Sequence, residues 1–390
     1  MSTPRIGQPM DYYQESLRLH HERGGKMVVA PTFPLATRDD LSVAYTPGVA
    51  EPCRVIVADP ERAYDLTIKG HTIAIVTDSS AVLGLGNIHG VAGLPVMEGK
   101  AILVKRFSGL DAFPICLSTQ DTEEIIQAVR AIAPGFAAIM LEDISAPRCF
   151  EIERRLTEEL DIPVMHDDQH GTATVVLAGL TNALRVVHKE PGEASVVVVG
   201  AGAAGIAIAE LLLAAGFQNL TLVDSRGIIA EGRAGMNPFK DDLARRINPV
   251  GRQGTLAEAL TGADVFIGVS APGIVTAEMV RTMARQPIVF AMSNPTPEIM
   301  PDEARAGGAA VIATGRSDFP NQANNVLVFP GIFRGAVEAR HPRFTMAMKL
   351  AAARELAVLV EEPVEERILP SPFDPGVMEA VAAAVRDTPA

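Results

Sequence analysis

A glycine-rich turn between a buried strand and a helix constrains the fold of this chain more tightly than any other stretch. Residues 195–199 read Ser-Val-Val-Val-Val, a β-branched run typical of a strand that is covered on both faces. The run leads into Gly200-Ala201-Gly202-Ala203-Ala204-Gly205 and an apolar helical segment, and the next strand, 220–223, ends at Asp224. A GxGxxG pattern alone is weak evidence, but this one joins a strand to a helix, with an acid 24 residues after its first glycine. The context predicts a dinucleotide-binding βαβ unit.

The same unit indicates how a dinucleotide would be held. Its turn residues allow a tight bend and a close approach of the backbone to a pyrophosphate at the helix N-terminus. Asp224 is expected to accept hydrogen bonds from the 2′-hydroxyl of the adenosine ribose and to repel a 2′-phosphate, which favours NAD. Arg226 follows two residues later and could instead hold that phosphate, so NADP stays open as an alternative. The predicted turn residues in contact with the cofactor are Gly200, Gly202, Ala203 and Gly205.

Strands and helices alternate along most of the chain, which predicts an α/β fold with parallel sheets. We expect two domains: an N-terminal α/β domain over 1–165, and a Rossmann-type doubly wound dinucleotide-binding domain with C-terminal helices over 166–390. Residues 41–46 are expected to form a loop, with Thr46 capping a helix that starts at Pro47. Further strands are expected at 72–77, 113–117, 136–141, 161–164, 264–269, 288–292 and 310–313. Further helices are expected at 11–23, 95–107, 122–132, 147–160, 173–187, 206–215, 256–260, 276–284, 343–360 and 374–385.

Composition argues against several classes of protein. The 390 residues carry a formal net charge of −13, which disfavours nucleic-acid binding. No apolar run approaches the ~18 residues of a membrane span, and the polar start of the chain lacks the apolar core of a signal peptide. The three cysteines have no metal-ligand spacing and fit a reducing compartment. We therefore expect a cytoplasmic protein without membrane or nucleic-acid partners.

Two acidic pairs concentrate the polar chemistry of the first half of the chain. Glu142-Asp143 ends one predicted strand, and Asp167-Asp168 follows another, within the stretch His166–Thr172. Our hypothesis is that the two pairs meet in space and hold a cation. An equally good interpretation from these residues alone makes Asp168 a helix N-cap and the other pair exposed acids at a strand end. His166 and His170 are expected to be structural, because a histidine beside a helix start is more often structural than a ligand.

A lysine lies on an apolar face of the predicted helix 95–107. Val96, Lys100, Leu103 and Phe107 fall on one stripe at helical spacing. From the pattern alone, Lys100 is more simply a lysine whose stem covers apolar surface while its ammonium reaches water.

These features, together with shorter motifs, resemble the malic enzyme family in its short bacterial form. The resemblance runs in order from about residue 15 to about residue 355, and it implies oxidative decarboxylation of L-malate to pyruvate and CO2, with NAD or NADP and with Mg2+ or Mn2+. It also implies that the chain lacks the phosphotransacetylase-like C-terminal domain of some bacterial relatives. Two places depart from the family pattern: His89 replaces an expected glycine, and Pro114-Ile115-Cys116 replaces a more acidic segment. The matching segments are 44–52, 82–88, 95–100, 141–143, 166–173, the GxGxxG turn, 293–298 and 322–326.

The resemblance implies a role for each polar residue of these motifs. Lys100 would be the general base for the C2 hydroxyl of malate, with a pKa that burial and the cation bring toward neutrality. Asp167 would hydrogen-bond Lys100 and orient it, and Tyr45 would be the general acid that protonates C3 of enolpyruvate. The metal ligands would be hard oxygen donors, which select Mg2+ or Mn2+ over Zn2+. They are Glu142, Asp143 and Asp168.

Three further residues and the state of assembly complete the prediction. Asn294 and Asn325 would bind the substrate carboxylate or the nicotinamide carboxamide, and Ser79 would help with the carboxylate. A homodimer or higher homo-oligomer is expected, with the N-terminal helix around Tyr12 and Tyr13 as a candidate interface. The alternatives are a dehydrogenase or decarboxylase of another small 2-hydroxy acid, an oxaloacetate decarboxylase, and a regulatory protein that binds NAD without turnover.

Overall fold

The computed structural model describes residues 11–82 and 84–390, and it contains two parallel sheets flanked by helices. The polar start of the chain and Leu83 of the motif at 82–88 lie outside the described residues. The first part of the chain contains α1 (Tyr12–Arg23), α2 (Arg38–Ala44), α3 (Ala50–Ala58), α4 (Ala63–Leu66), β1 (Thr72–Thr77), α5 (Leu94–Ser108), β2 (Asp111–Cys116), α6 (Thr122–Ile132), β3 (Ala138–Leu141), α7 (Arg148–Glu159), β4 (Val164–His166) and α8 (Asp167–Val186).

The second part of the chain begins at the predicted dinucleotide unit. It contains β5 (Ser195–Val199), α9 (Ala203–Ala214), β6 (Asn219–Asp224), β7 (Gly227–Ile228), α10 (Pro238–Ile247), α11 (Leu256–Leu260), β8 (Val265–Gly268), α12 (Ala277–Thr282), β9 (Ile288–Ala291), α13 (Pro301–Ala306), β10 (Val311–Thr314), α14 (Phe329–Glu338), α15 (Met346–Val358) and α16 (Val377–Arg386). Short 3-10 helices lie at Pro60–Arg62, Ile68–His71, Gly90–Gly93, Ala133–Gly135 and Asn325–Leu327.

The first sheet is parallel and has the order β2-β1-β3-β4. All residues of β1 are buried, as expected for a strand that is covered by helices on both faces. Its neighbours pair with Thr72 opposite Asp111 of β2 and Ile73 opposite Ala138 of β3. The carboxyl ends of β1, β3 and β4 therefore lie at one edge of the sheet, and the two acidic pairs follow β3 and β4 there.

The second sheet has the order β10-β9-β8-β5-β6-β7, in which only β7 is antiparallel to its neighbour. The chain first adds β6 on one side of β5 and then returns to add β8 on the other side. Ligands of doubly wound sheets bind at such a switch point, outside the carboxyl ends of the strands. The predicted α/β fold with a Rossmann-type sheet is confirmed.

The helix α8 connects the two sheets and is almost entirely buried over its 20 residues. Asn182 of this helix is fully buried, and its Nδ2 donates to the carbonyl oxygens of Ala357 (2.9 Å) and Ile368 (3.0 Å). One apolar core runs from β1 through α8 to the C-terminal helices. The domain boundary between residues 165 and 166 stays a prediction; it falls inside β4. Within the described residues, no helix is long and apolar enough to cross a membrane.

The prediction for residues 41–50 was wrong. The helix α2 includes residues 41–44 of the predicted loop, and the next helix begins at Ala50 rather than at Pro47. A reciprocal cap at its N-terminus explains why α2 forms: Thr37 Oγ1 accepts from the backbone of Asp40, and the Asp40 carboxylate accepts from the backbone of Thr37 (2.9 Å).

The junction between β4 and α8 was also predicted with wrong bounds. The strand lies at Val164–His166 rather than at 161–164, and the helix begins at Asp167 rather than near residue 173. Asp167 and Asp168 are therefore in the first helical turn, and Asp168 is not the N-cap, since His166 holds that position. The helix α10, which Asn237 caps, was not predicted.

Candidate active site

A cleft of about 960 Å³ opens where the carboxyl ends of the strands of both sheets face each other. Its walls come from segments that follow β1, β3, β5, β8, β9 and β10, and from α5 and α8. The cleft therefore brings the acidic pairs of the first sheet next to the glycine-rich turn of the second. The predicted site residues that line it are Lys100, Glu142, Asp143, Asp168, Gly202, Ala203, Asn294 and Asn325.

Three carboxylates in this cleft are arranged to hold a metal ion. Glu142, Asp143 and Asp168 each offer one oxygen, and these oxygens lie within 4.8 Å of one another. Oε2 of Glu142 and Oδ2 of Asp143 are buried and have no hydrogen-bond partner among the described residues. Buried oxygens without a partner are costly unless a cation or a proton satisfies them. Three hard oxygen donors fit Mg2+ or Mn2+.

The backbone and the electrostatics of this acidic cluster support that fit. Asp143 has a positive φ of 54°, which costs energy for a residue with a side chain. Its N–H donates to Oδ2 of Asp168 (2.8 Å), so the two acids are held together across the sheet edge. Burial raises the pKa of Asp143 to about 8, and the neighbouring charge of Asp168 adds to the shift. Burial likewise raises the pKa of Glu142 well above its ordinary value.

Lys100 touches two carboxylates. Its Nζ lies 3.0 Å from Oε1 of Glu142, and it forms a close hydrogen-bonded ion pair with Asp167, which is fully buried. The ring of Phe329 lies under the ammonium, 4.5 Å from Nζ to the centroid. The ion pair between Lys100 and Asp167 was expected from the family resemblance, whereas the contacts with Glu142 and Phe329 were not.

The protein groups around Lys100 favour its ammonium form. Burial disfavours the charge, but Asp167, Glu142 and Asp168 outweigh that effect and raise the pKa above its ordinary value. The expected fall of this pKa toward neutrality, which also depends on a bound cation, stays a prediction. The buried residues of α5 are Met97, Ala101, Val104 and Ser108, so its core face is not the stripe that carries Lys100. The stripe at Val96, Lys100 and Leu103 instead lines the cleft.

The substrate end of the cleft contains amides and a close-packed glycine. A Cβ added to Gly171 would lie 3.1 Å from the Cβ of Asn325 and would collide with the carboxylate of Asp167. Glycine at this position therefore lets Asn325 approach the ion pair between Asp167 and Lys100. Asn294 also lines the cleft, and its Nδ2 lies 3.5 Å from the carbonyl oxygen of Met292. Sequence reasoning gave no role to five other polar lining residues: Ser145, Thr172, Ser270, Ser293 and Asn324.

The glycine-rich turn has the geometry expected of a dinucleotide loop. Gly200 has a φ of 114°, and a Cβ there would lie 2.5 Å from the carbonyl oxygen of Val269. A Cβ at Gly205 would collide with the carbonyl of Gly200, so the third glycine permits close packing of α9 on the turn. Gly202 and Ala203 face the cleft at the N-terminus of α9, where free N–H groups suit a pyrophosphate.

Three of the predicted catalytic and substrate residues do not line the cleft: Tyr45, Ser79 and Asp167. Asp167 is fully buried and reaches the cleft through its ion pair with Lys100. Tyr45 is 66% exposed and lies in the turn after α2. Ser79 is fully buried, and its hydroxyl donates to the carbonyl oxygen of Gly90 (3.2 Å), so it supports the loop behind the cleft instead of facing a substrate.

Asp224 lies at the end of β6, where a ribose would bind, but it has two cationic partners. Its Oδ2 is 2.5 Å from Nη2 of Arg233 and 3.1 Å from Nζ of Lys240. Burial raises the pKa of this carboxyl, but the bonds from Arg233, Arg226 and Lys240 outweigh burial and lower it. The side chain of Arg226 points away and donates to the carbonyl oxygen of Ala234 (2.9 Å). Arg233 and Lys240 were not predicted as partners of Asp224. Their positive charges reduce the repulsion between Asp224 and a 2′-phosphate, and the expected preference for NAD was based on that repulsion.

Comparison with known proteins decides the family. The model for the malic enzyme N-terminal domain matches residues 24–157, and the model for the malic enzyme NAD-binding domain matches residues 169–385. The chain belongs to the malic enzyme family. It is 58% identical over 364 residues to the NAD-dependent malic enzyme of Geobacillus stearothermophilus, a match that covers 93% of this chain and 76% of that one.

Two other malic enzymes extend the comparison. The NADP-dependent malic enzyme of Rhizobium meliloti is 48% identical over 393 residues, a match that covers 95% of this chain and 51% of that protein. The crystal structure of the NAD-dependent malic enzyme of Thermotoga maritima has a TM-score of 0.92 at 48% identity, covering 95% of this chain and 98% of that one. The relatives of this chain thus include malic enzymes named for either coenzyme.

Proposed function

We propose that this malic enzyme oxidises and decarboxylates L-malate to pyruvate and CO2 with reduction of NAD(P)+, and that it needs a divalent cation. The observation that carries the proposal is the shared cleft: Lys100 and the three carboxylates face the dinucleotide turn at Gly202 and Ala203. A protein that only binds a dinucleotide has no need of a buried lysine and a metal-binding cluster beside it.

The acidic cluster prepares the substrate end of the cleft. Glu142, Asp143 and Asp168 would hold Mg2+ or Mn2+. A cation held there would supply Lewis-acid stabilisation of negative charge on the substrate, and NAD(P)+ would supply the hydride acceptor. The amides of Asn294 and Asn325 would orient a carboxylate or the nicotinamide carboxamide as neutral donors.

Lys100 would take the proton of the C2 hydroxyl at its Nζ. Its ion pairs now favour the ammonium, so the lysine must lose a partner before it can act as a base. Glu142 is the partner that a bound cation would compete for, and weaker attraction from Glu142 would lower the pKa of Lys100. Asp167 would remain hydrogen-bonded to Nζ and keep it aimed at the substrate.

We propose that Tyr45 acts in the active site of a partner subunit. It would protonate C3 of enolpyruvate, yet it is 66% exposed and does not line its own cleft. It also lies in a segment with an unusual number of exposed apolar side chains, which suits burial against a second copy. Among these side chains are Tyr12 (75% exposed), Leu17 (66%), Val28 (88%), Phe33 (60%) and Val43 (65%). A homodimer that buries this surface would complete both sites.

We propose that both coenzymes are used and that NAD+ is preferred. Oδ1 of Asp224 accepts only the N–H of Arg226 (2.9 Å) among the described residues and has capacity for a ribose hydroxyl. Arg233 and Lys240 offset the charge of Asp224, so a 2′-phosphate would be tolerated at a cost in kcat/KM. For this reason we do not expect absolute discrimination.

Separating the two chemical steps tests the residue roles. With L-malate, Mn2+ and NAD+, Lys100→Ala should slow the appearance of reduced coenzyme by about 10²- to 10⁴-fold. Supplied with oxaloacetate and NADH, Tyr45→Phe should still form malate and NAD+, a reaction without C3 protonation, while it loses pyruvate formation from malate. If a folded Tyr45→Phe protein lost both oxaloacetate reduction and pyruvate formation, or kept both, the role of Tyr45 as the acid for C3 would be contradicted. Turnover of other small 2-hydroxy acids in the same assay tests the alternative that the protein is a dehydrogenase of a different acid.

A further inference from the structure

A network of polar side chains lies on the face of α8 opposite the cleft. It joins Glu153 of α7, His170 of α8 and Lys349 of α15. A cavity of about 410 Å³ lies beside the network and is lined by the aromatic rings of Phe150, Phe239 and Phe344. The roles proposed above use none of these residues.

Glu153 is the centre of this network and receives three hydrogen bonds from the start of α8. Its Oε1 accepts from the backbone N–H of His166 (2.7 Å). Its Oε2 accepts from Nε2 of Gln169 (3.1 Å) and bonds Nε2 of His170 (2.9 Å). The carboxylate is 13% exposed and comes from a different helix, so its contacts fix α8 relative to α7.

The three residues that contact Glu153 lie on either side of the two aspartates of the site in the sequence. Asp167 and Asp168 stand between His166 and Gln169 in the chain, so both flanks of the acidic pair are bound to one carboxylate. The N-cap residue of α8, His166, makes no side-chain cap. A carboxylate at a helix N-terminus supplies the missing acceptor and interacts favourably with the helix dipole.

The protonation states in the network agree with this arrangement. Burial disfavours the charge on Glu153, but the His170 ring and the Lys349 ammonium outweigh it and lower the pKa to about 2. Burial lowers the pKa of His170, and the charge of Glu153 opposes that shift. Nε2 of the ring bonds Oε2 of Glu153, and its Nδ1 lies 3.1 Å from Nζ of Lys349.

We propose that Glu153 is a positioning residue for the metal site: it sets the first turn of α8 and thereby the direction of the Asp168 carboxylate and of Asp167 toward Lys100. The inference rests on the proposed function, because it assumes that Asp168 binds a divalent cation. Groups that orient metal ligands from behind typically change metal affinity by about 10- to 100-fold when they are removed. A merely structural Glu153 would stabilise the packing of α7 on α8 without affecting metal affinity.

The variant Glu153→Gln tests this role with little change of shape. Its amide keeps one oxygen for the N–H of His166 but presents an NH2 group to the donors of Gln169 and His170. The matched control is Glu151→Gln, which changes a half-exposed glutamate on the same helix. Mn2+ binding is measured directly by the loss of the free-Mn2+ electron paramagnetic resonance signal, alongside the Mn2+ dependence of kcat and the thermal midpoint.

The expected result is a rise in the Mn2+ dissociation constant of at least tenfold for Glu153→Gln and no change for Glu151→Gln. At saturating Mn2+, kcat should recover to within a few-fold of the wild-type value. If Glu153→Gln fails to fold, Gln169→Leu removes one of the three donors and should weaken Mn2+ binding in the same direction, by less.

Two outcomes separate failure of this inference from failure of the proposed function. A lowered thermal midpoint with unchanged Mn2+ affinity would overturn the positioning role and leave the proposed function intact. Absence of specific Mn2+ binding by the wild-type protein would instead overturn the metal site itself, and with it this inference.

Discussion

Nζ of Lys100 lies 3.0 Å from Oε1 of Glu142, so the proposed base is in contact with a proposed metal ligand. The ammonium and a bound metal ion would therefore share one carboxylate. Whatever binds the acidic cluster changes the proton affinity of Lys100, and the charge of Lys100 opposes the entry of a metal ion. The coupling is a consequence of one short contact that the family motifs alone do not reveal.

The first prediction follows from this coupling. Lys100→Ala should lower kcat by about 10²- to 10⁴-fold, the usual contribution of a general base. The same variant should bind Mn2+ at least as tightly as the wild type, because a positive charge beside Glu142 has been removed. Activity assays and Mn2+ titrations measure the two effects separately. Lys105→Ala, a change of an exposed lysine on the same helix, should alter neither.

The second prediction concerns pH and stability. Asp143 has an ordinary pKa of 3.8 and a folded-state pKa of about 8. The folded protein thus holds a proton that the unfolded chain loses, and the stability that this provides is lost as pH rises from about 4 to about 8. Mn2+ replaces the proton, so the gain in thermal midpoint on adding Mn2+ should be larger at pH 8 than at pH 6. Equal gains at the two pH values would argue against this linkage, and Asp143→Asn should reduce the difference.

The third prediction tests whether Tyr45 crosses the dimer interface. Tyr45→Phe and Lys100→Ala subunits are each expected to be inactive in malate oxidation to pyruvate. After mixing under conditions that exchange subunits, about a quarter of the wild-type activity should return, since half of the dimers are mixed and each has one complete site. No recovery in a mixture that demonstrably contains mixed dimers would place Tyr45 in its own subunit's site.

The fourth prediction concerns His89, which stands where the family pattern has glycine. Its backbone has φ 56° and ψ 141°, a conformation that is essentially restricted to glycine. His89→Gly should therefore raise stability, by about 1 kcal/mol, and raise the thermal midpoint. His21→Gly, in the exposed helix α1, is the control and should lower it by a similar amount. A lower midpoint for His89→Gly would mean that the histidine side chain stabilises its loop.

Much of the fold could be predicted because the signals are local. The valines of β5, the apolar run of β1 and the glycines between β5 and α9 specify strands and a turn from adjacent residues. Boundaries failed where distant or reciprocal contacts decide them. The start of α8 at Asp167 depends on Glu153 from another helix, and α2 depends on the reciprocal cap between Thr37 and Asp40.

The candidate site was likewise only partly predictable from the sequence. The acids at the ends of β3 and β4 and the lysine of α5 lie in recognisable motifs, so their presence could be predicted from the sequence. Their energetics could not: Lys100 contacts Glu142 and Phe329, which are 42 and 229 residues away in the chain. The cations around Asp224 also escaped prediction, because Arg233 and Lys240 come from the loop before α10 and from α10 itself.

The most direct test is turnover of L-malate with Mn2+ and either NAD+ or NADP+, measured side by side. Reduced coenzyme is followed by absorbance and pyruvate by a separate assay. We predict equal amounts of both products, with a higher kcat/KM for NAD+ than for NADP+, and no turnover after the divalent cation is removed by a chelator. A protein that binds both coenzymes and Mn2+ but reduces neither coenzyme with malate would contradict the proposed function.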